Sequence, residues 1–229
     1  MRKVAIVNQQ GGVGKTTTAL CLSRVLACRG KKVLLIAADP LSDIAARLGL
    51  NVEDGKTLLE CLLGRRTADD CISAADGCLD LIPCNPNLVG FEIEAMHRED
   101  RDLLMKRMLD GMASVYDFVI IDTPSSLGLL TVNALVATDD VVLPLRCDYF
   151  ANEGMTRLLR LIDNVRDAFN PQLNLSGFVL THVDERLRST SRNIDELHRC
   201  YGSIMLNAQI AEGDGMMQSY ERLTDELFA

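Results

Sequence analysis

Asn8-Gln9-Gln10-Gly11-Gly12-Val13-Gly14-Lys15-Thr16-Thr17-Thr18 is the stretch that decides the fold of this chain. An apolar run precedes it at residues 4–7, and a helical pattern of apolar residues follows it. A strand that enters a glycine-rich turn and continues as a helix is the layout of a phosphate-binding loop. Glycines let backbone N–H groups crowd around an anion, and the helix N-terminus adds partial positive charge. The pattern therefore predicts that Lys15 reaches the β- and γ-phosphates of a nucleotide and that the Thr16 hydroxyl binds Mg²⁺.

An acidic residue at the end of a second strand completes such a site, because it holds the Mg²⁺ shell. Residues 116–122 are the clearest strand pattern in the chain, and they end at Asp122. An aspartate in this position is also common as a helix cap or a turn residue. Its combination with the phosphate loop favours the role at the metal.

The order of apolar runs and helical patterns predicts the fold class. The two alternate throughout the chain, as in an α/β protein with a doubly wound, mostly parallel sheet and helices on both faces. Strands are predicted at residues 4–7, 32–36, 79–83, 116–122, 140–145, 175–181 and 204–206. Helices are predicted at residues 17–29, 41–48, 57–63, 92–112, 127–136, 153–169, 191–201 and 217–228. Because no internal repeat or linker is visible, we expect a single domain over residues 1–229.

The composition argues against several classes of protein. A net charge of −8 argues against a globally basic nucleic-acid binder. No apolar run approaches the ~20 residues of a membrane helix and no signal peptide is visible, so we expect a cytoplasmic protein. The eight cysteines contain no CxxC pair, which favours free thiols over a metal or iron–sulfur site.

Three segments resemble the ParA/MinD family of ATPases. The phosphate loop is similar to that family's deviant form of the Walker A motif, KGGxGK[ST]. Residues 116–135, YDFVIIDTPSSLGLLTVNAL, look very like the corresponding ParA segment. Residues 143–154, LPLRCDYFANEG, are similar to the family's P-x-x-C-E-Y-Y-A-x-E-G. The resemblance covers about nine-tenths of the chain, residues 3–206, and is closest to the small, Soj-like partition ATPases.

The resemblance implies a P-loop NTPase that binds ATP and Mg²⁺ and hydrolyses the ATP. It further implies a homodimer that sandwiches the nucleotides, non-specific binding to DNA, and a ParB-like partner protein that stimulates hydrolysis. The cargo would be a plasmid, a mobile element or a chromosome. The protein would be cytoplasmic and associated with the nucleoid.

The same resemblance implies roles for individual residues. The catalytic residues would be Lys15, Asp39 and Asp122, and the metal would be held by Thr16 and Asp122. The nucleotide would be bound by Gln10, Gly11, Gly12, Val13, Gly14, Lys15, Thr16 and Thr17, with Gln209 and Ile210 near the adenine.

Basic residues beyond the segment LTHVDER at 180–186, which is similar to the family's L-T-x-x-D-x-R, would bind DNA phosphates. They are Arg186, Arg188, Arg192 and Arg199. The alternative for these arginines is a solvated helix face. The family's downstream segment I-P-R-N-V-R-L-S is replaced here by IAEGDGMM at residues 210–217, and the loss of its arginines argues against DNA binding.

Three residues around the expected γ-phosphate position depart from the family pattern. Gln10 stands where the family has the lysine that reaches across the dimer, and Ala37 and Leu41 replace the first acid and the glutamine of D-x-D-P-Q. Glutamine brings no charge, and alanine can neither bind metal-held water nor position a nucleophile. Each lost polar contact is expected to slow hydrolysis on the order of 10²-fold. We therefore expect that ATP binds while its hydrolysis is slow or absent.

Three other functions are alternatives to this prediction. A degenerate relative that dimerises with nucleotide but does not hydrolyse it fits the three departures. A MinD-like membrane-positioning ATPase needs a basic amphipathic C-terminal helix, whereas the last fourteen residues carry Arg222 against Glu221, Asp225 and Glu226. A metabolic P-loop enzyme, such as an amide-forming or phosphorylating ligase, needs a second substrate site that no sequence pattern shows.

Overall fold

Eight strands form one sheet in the computed structural model, which describes residues 1–112, 115–147, 152–183, 188–213 and 215–228; the side chains of residues 152, 153 and 188–193 lie outside that description. The strands are β1 (Arg2–Ile6), β2 (Val33–Ala37), β3 (Ser73–Asp76), β4 (Leu79–Ile82), β5 (Phe118–Asp122), β6 (Asp140–Arg146), β7 (Asn174–Val183) and β8 (Met205–Ala211). Their spatial order is β3-β4-β2-β5-β1-β6-β7-β8. Neighbouring strands are parallel, except that β3 and β4 form an antiparallel pair at one edge.

Ten α-helices connect or flank these strands within the described ranges. They are α1 (Lys15–Cys28), α2 (Ile44–Arg47), α3 (Leu58–Leu62), α4 (Ala68–Cys71), α5 (Phe91–Ala95), α6 (Leu104–Asp110), α7 (Leu129–Ala137), α8 (Asn152–Ala168), α9 (Arg188–Tyr201) and α10 (Met216–Phe228). Short 3₁₀ turns lie at Pro86–Gly90, Arg101–Leu103 and Gly202–Ile204. This arrangement confirms the predicted α/β fold. No helix in the described part of the chain is both long enough and apolar enough to cross a membrane.

The position of β1 creates the place for a ligand. Every residue of β2 and the last three residues of β1 are buried, as expected for parallel strands that are covered on both faces. β1 lies between β5 and β6, so the strands that follow β1 in the sequence are distributed on both sides of it. Such a switch in direction opens a crevice at the carboxyl end of the central strands. The phosphate loop follows β1 at this point.

The prediction of one helix over residues 92–112 is wrong, because α5 and α6 are separate helices. In a continuous α-helix, the Met105 N–H would donate to the carbonyl of Arg101. Instead, the buried side chain of Asn133 on α7 is inserted between these two groups: its Oδ1 accepts from Met105 N at 3.0 Å, and its Nδ2 donates to the Arg101 carbonyl at 2.8 Å. A side chain from another helix therefore replaces the local hydrogen bond.

Short or interrupted elements also differ from the prediction. β3 and α4 have four residues each, and neither contains an apolar run that would identify it. β8 continues to Ala211, although only residues 204–206 were predicted as strand, because the polar Asn207 and Gln209 interrupt its apolar pattern.

The C-terminal helix α10 packs on both α1 and β8. The buried hydroxyls of Tyr220 and Thr18 lie 3.0 Å apart and join α10 to α1 directly behind the phosphate loop. The Glu226 carboxylate accepts from the backbone N–H groups of Asn207 at 2.7 Å and Ala208 at 2.8 Å, which fixes α10 to β8. These contacts hold the end of the chain against the crevice.

Candidate functional site

The phosphate loop is shaped by its glycines and fastened to β6. Gly12 and Gly14 have φ angles of 73° and 86°, in the left-handed region that side chains disfavour. Asn8 donates to the carbonyl of Pro144 on β6 at 2.6 Å and accepts from the backbone N–H of Gln10 at 2.9 Å. The loop therefore has a fixed shape, and it leads directly into the N-terminus of α1.

Lys15 is buried beneath the loop, with only 6% of its surface exposed. Its Nζ donates to the backbone carbonyl of Gln10 at 3.1 Å and to the hydroxyl of Ser125 at 2.6 Å. Burial lowers the pKa of the Lys15 ammonium, while the nearby carboxylates of Asp122 and Asp39 oppose this change. The ammonium is thus held at the loop, and its burial would strengthen its attraction to a phosphate.

Asp122 is the fully buried acid of the site. Its Oδ2 accepts from the Thr16 hydroxyl at 2.9 Å and from the Ser42 hydroxyl at 3.3 Å. Burial, with a smaller contribution from Asp39, raises the pKa of the carboxyl group to about 7, although Thr16, Lys15 and Ser42 favour the charged form. Its Oδ1 is buried without a hydrogen-bond partner among the described residues.

The unpartnered oxygen of Asp122 and the adjacent hydroxyl of Thr16 are groups that fit a bound cation. Mg²⁺ prefers oxygen ligands, keeps several of its waters and is bound by few protein groups. The Thr16 hydroxyl can coordinate the ion directly, and Asp122 Oδ1 can accept from a metal-bound water. The residues present therefore fit the metal that the sequence pattern predicts.

A cleft of about 390 Å³ begins at the loop, a volume within the range of small-ligand sites. At one end it is lined by the phosphate loop, Asp39 and Ser125, and at the other by residues of β8 and α10, among them Ile210, Met216 and Tyr220. His182, which has a φ of 53°, lines the cleft beside Thr181 at the end of β7. The cleft combines the polar groups and ammonium of the loop with apolar side chains of β8 and α10, as a nucleotide requires, and Glu212 also lines it.

The structure brings most of the predicted nucleotide residues together. Those that line the cleft are Gly12, Gly14, Lys15, Thr16, Thr17 and Ile210, and Asp39, which was predicted to be catalytic, lines it as well. Gln209 lies one position before Ile210 on β8 and lines a separate depression that also contains Asn207, Ser219 and Arg222. Neighbouring residues on a strand face opposite sides, which separates this pair.

The residues that depart from the family pattern lie at the same edge of the sheet. Ala37 is buried and pairs in register with Asp122, so a methyl group stands beside the buried acid. Leu41 is 88% exposed, and its backbone N–H donates to Asp39 Oδ1 at 2.9 Å. Gln10 contributes its backbone carbonyl to Lys15.

The four arginines predicted to bind DNA are only partly described. Arg186 lies outside the described residues, and the side chains of Arg188 and Arg192 on α9 do as well. Arg199 is exposed near the end of α9, where its Nε donates to the carbonyl of Asp195 at 3.3 Å. The exposed side chains of Asp195 and Glu196 precede it on the same helix.

Sequence reasoning missed several residues of the site. Ser125 holds Lys15, Ser42 contacts Asp122, and Thr181 donates to the carbonyls of Val13 and Leu145 at 3.0 and 3.1 Å. Isolated serines and threonines have no diagnostic spacing. Their common signal is that each follows or ends a predicted parallel strand. The carboxyl ends of parallel strands form the edge at which α/β sheets bind ligands.

Comparison with known proteins places the chain in a family. Residues 1–175 match a family described as an AAA domain. The chain is 39% identical over 214 residues to the chromosome partitioning protein ParA of Caulobacter vibrioides, which covers 92% of this chain and 80% of that protein. The chain belongs to the ParA family of partition ATPases.

Solved structures are also similar to this ParA-family chain. One is described as cobyrinic acid a,c-diamide synthase from Mycobacterium smegmatis with a bound ATP analogue and magnesium; it has a TM-score of 0.93 and 32% identity, and the match covers 98% of this chain and 93% of that one. Another is a plasmid partition protein from Borrelia burgdorferi bound to AMPPNP, with a TM-score of 0.84, 26% identity and coverage of 98% and 97%. Both share the fold and were crystallised with a nucleotide.

We predict that Asp122→Asn changes the pH dependence of stability in the ligand-free ParA-family chain. Because the pKa of about 7 in the folded state exceeds the ordinary value near 3.9, the stabilising contribution of this carboxyl group is complete below about pH 4 and is lost as the pH rises to about 7. The asparagine variant lacks this loss. Its free energy of unfolding, measured with urea, should therefore rise relative to the parent between about pH 5 and about pH 8.

The exposed Asp167→Asn on α8 is the matched control for the loss of one carboxyl group. An Asp122→Asn difference that does not vary with pH, or that varies only as the Asp167→Asn difference does, would contradict the raised pKa of Asp122.

Proposed function

We propose that this chain is an ATP- and Mg²⁺-binding partition protein that segregates a plasmid, a mobile element or a chromosome. The observation that carries the proposal is the cluster of Lys15, Thr16 and Asp122 at the phosphate loop, in which one buried Asp122 oxygen has no hydrogen-bond partner from any described residue. Membership of the ParA family supports the biological role.

The site residues have distinct tasks in this proposal. Backbone N–H groups of the loop and of the first turn of α1 receive the phosphates, and Lys15 supplies a fixed positive charge. Thr16 and Asp122 hold Mg²⁺, which neutralises charge on the phosphate oxygens when it is bound. The adenine lies at the apolar end of the cleft, near Ile210.

Hydrolysis is slow or absent in this proposal, because groups that act on the γ-phosphate and on water are missing. Phosphoryl transfer depends on positioning and on electrostatic stabilisation. Ala37 offers only a methyl group beside Asp122, the side chain of Leu41 is exposed and apolar, and Gln10 is uncharged. Asp39 remains at the cleft as the acid that could orient a water molecule.

Assembly and partners follow from the family in this proposal. Nucleotide binding promotes a sandwich homodimer, the dimer binds DNA without sequence preference, and a ParB-like partner protein acts on it. The protein is then cytoplasmic and associated with the nucleoid. The half-exposed and exposed loop residues Gln10, Gly11 and Gly12 are compatible with an approaching second subunit.

A second candidate is an amide-forming ligase, favoured by the high similarity to the structure described as a diamide synthase. Such an enzyme transfers the γ-phosphoryl group to a carboxylate substrate before the amide forms, whereas a partition ATPase needs only water. The two functions therefore differ in whether phosphate release requires an added carboxylate. A non-hydrolysing nucleotide-dependent dimer differs from both in releasing none.

We predict that the purified chain releases phosphate from Mg²⁺·ATP more slowly than about one turnover per minute without any added substrate. The double variant Gln10→Lys, Ala37→Asp should hydrolyse ATP at least about ten times faster, because it restores a charged phosphate contact and a water-binding acid. The control Gln172→Lys, Ala168→Asp adds the same charges at exposed positions near the start of β7, away from the cleft. If the parent protein completes one cycle of ATP hydrolysis within seconds, the claim of impaired hydrolysis is refuted.

We also predict that ATP and Mg²⁺ cause the chain to retard DNA of unrelated sequences in a gel, and that added salt weakens the binding. Arg199→Glu should reduce the retardation, whereas Arg222→Glu on α10 should not. Absence of retardation even at low salt would remove DNA from the proposed function and favour the regulatory or ligase alternatives.

A further inference from the structure

Among the described residues that line the cleft, Lys15 is the only lysine or arginine. A nucleoside triphosphate with one Mg²⁺ keeps a net negative charge of about two, so a single ammonium does not neutralise it. Gln10 brings no charge to the loop. The site as described is therefore short of positive charge toward the ligand that we propose for it.

Arg146 lies directly beside the phosphate loop. A Cβ placed on Gly12 would be 4.0 Å from Arg146 Nη1, so the guanidinium group borders a residue that itself lines the cleft. Lys15 contacts Ser125, which follows β5, whereas Arg146 ends β6. Because β5 and β6 lie on opposite sides of β1, Arg146 and the serine that holds Lys15 are on opposite sides of that strand.

The backbone at Arg146 is held in this position from two directions. Asn8, at the start of the loop, donates to the carbonyl of Pro144 at 2.6 Å. Arg146 pairs in register with Thr181 on β7, and the Thr181 hydroxyl contacts the carbonyls of Val13 and Leu145. The loop, β6 and β7 therefore form one hydrogen-bonded unit, which keeps the arginine at the loop.

We propose that Arg146 is a second phosphate-binding cation, which holds the polyphosphate of a nucleoside triphosphate from the β6 side of the loop. This inference rests on the proposed function of the loop as an ATP site. A guanidinium group suits this task, because its planar arrangement of donors matches two phosphate oxygens at once and it stays charged when partly buried. It supplies from β6 the charge that Gln10 does not supply from the loop.

The test is calorimetric titration of ATP with Mg²⁺ into the parent and into Arg146→Gln, Arg146→Lys and Arg160→Gln. Arg146→Gln should weaken binding at least about ten-fold, the effect of losing one charge-assisted contact. Arg146→Lys keeps the charge but loses the planar pair of donors, so it should bind ATP more weakly than the parent and more tightly than Arg146→Gln. Arg160→Gln, an exposed substitution on α8, is the matched control and should bind as the parent does.

Thermal unfolding without nucleotide separates binding from folding. The midpoint of each variant sets the temperature of its titration, which is kept well below unfolding, so that a difference in ATP affinity reports on binding. Equal ATP affinity of Arg146→Gln and the parent would overturn the inference and leave the proposed function intact. Equal losses in the glutamine and lysine variants would also overturn it, because they would indicate a packing role. If the parent binds no ATP, the proposed function fails, and the inference fails with it.

Discussion

The carboxyl group of Asp122 is the constraint around which the site is arranged. It is completely buried at the end of a central strand, where an unsatisfied charge is costly. Thr16 and Ser42 satisfy one of its oxygens, and Lys15 lies close enough to favour its charged form. Its other oxygen has no hydrogen-bond partner in the described part of the chain. A buried acid in this state favours either a proton or a nearby cation, which is the property a magnesium site uses.

The fold explains why these groups meet. β1 and β5 are neighbours in the centre of the sheet, so the loop after one strand and the acid at the end of the other share an edge. The chain then contributes to the cleft from both sides: β6 and β7 support the loop through Asn8 and Thr181, and α10 joins it through Tyr220. The strand order thus places separate parts of the chain around one cleft. Membership of the ParA family is the basis on which we propose a role in DNA partition.

The sequence predicted the core of this arrangement because both motifs are local. One motif is a glycine-rich turn between a strand and a helix, and the other is an acid after an apolar run. Each can be recognised from a few consecutive residues. The break between α5 and α6 was not predictable in this way, because Asn133 is about thirty residues away along the chain.

Ser125 and Arg146 were missed for a related reason. Their importance comes from neighbouring strand ends, and a single serine or arginine has no characteristic spacing. Gln209 and Ile210 show the same limit, since adjacent positions on one strand line different depressions.

A crystal structure with Mg²⁺ and a non-hydrolysable ATP analogue tests the central claim most directly. The account predicts phosphates enclosed by the loop within hydrogen-bond distance of Lys15 Nζ, and a metal about 2.1 Å from Thr16 Oγ1. It further predicts that Asp122 Oδ1 accepts from a water molecule of that metal. A nucleotide bound outside the loop, or a metal held without Thr16 while Asp122 Oδ1 stays unpartnered, would contradict the account.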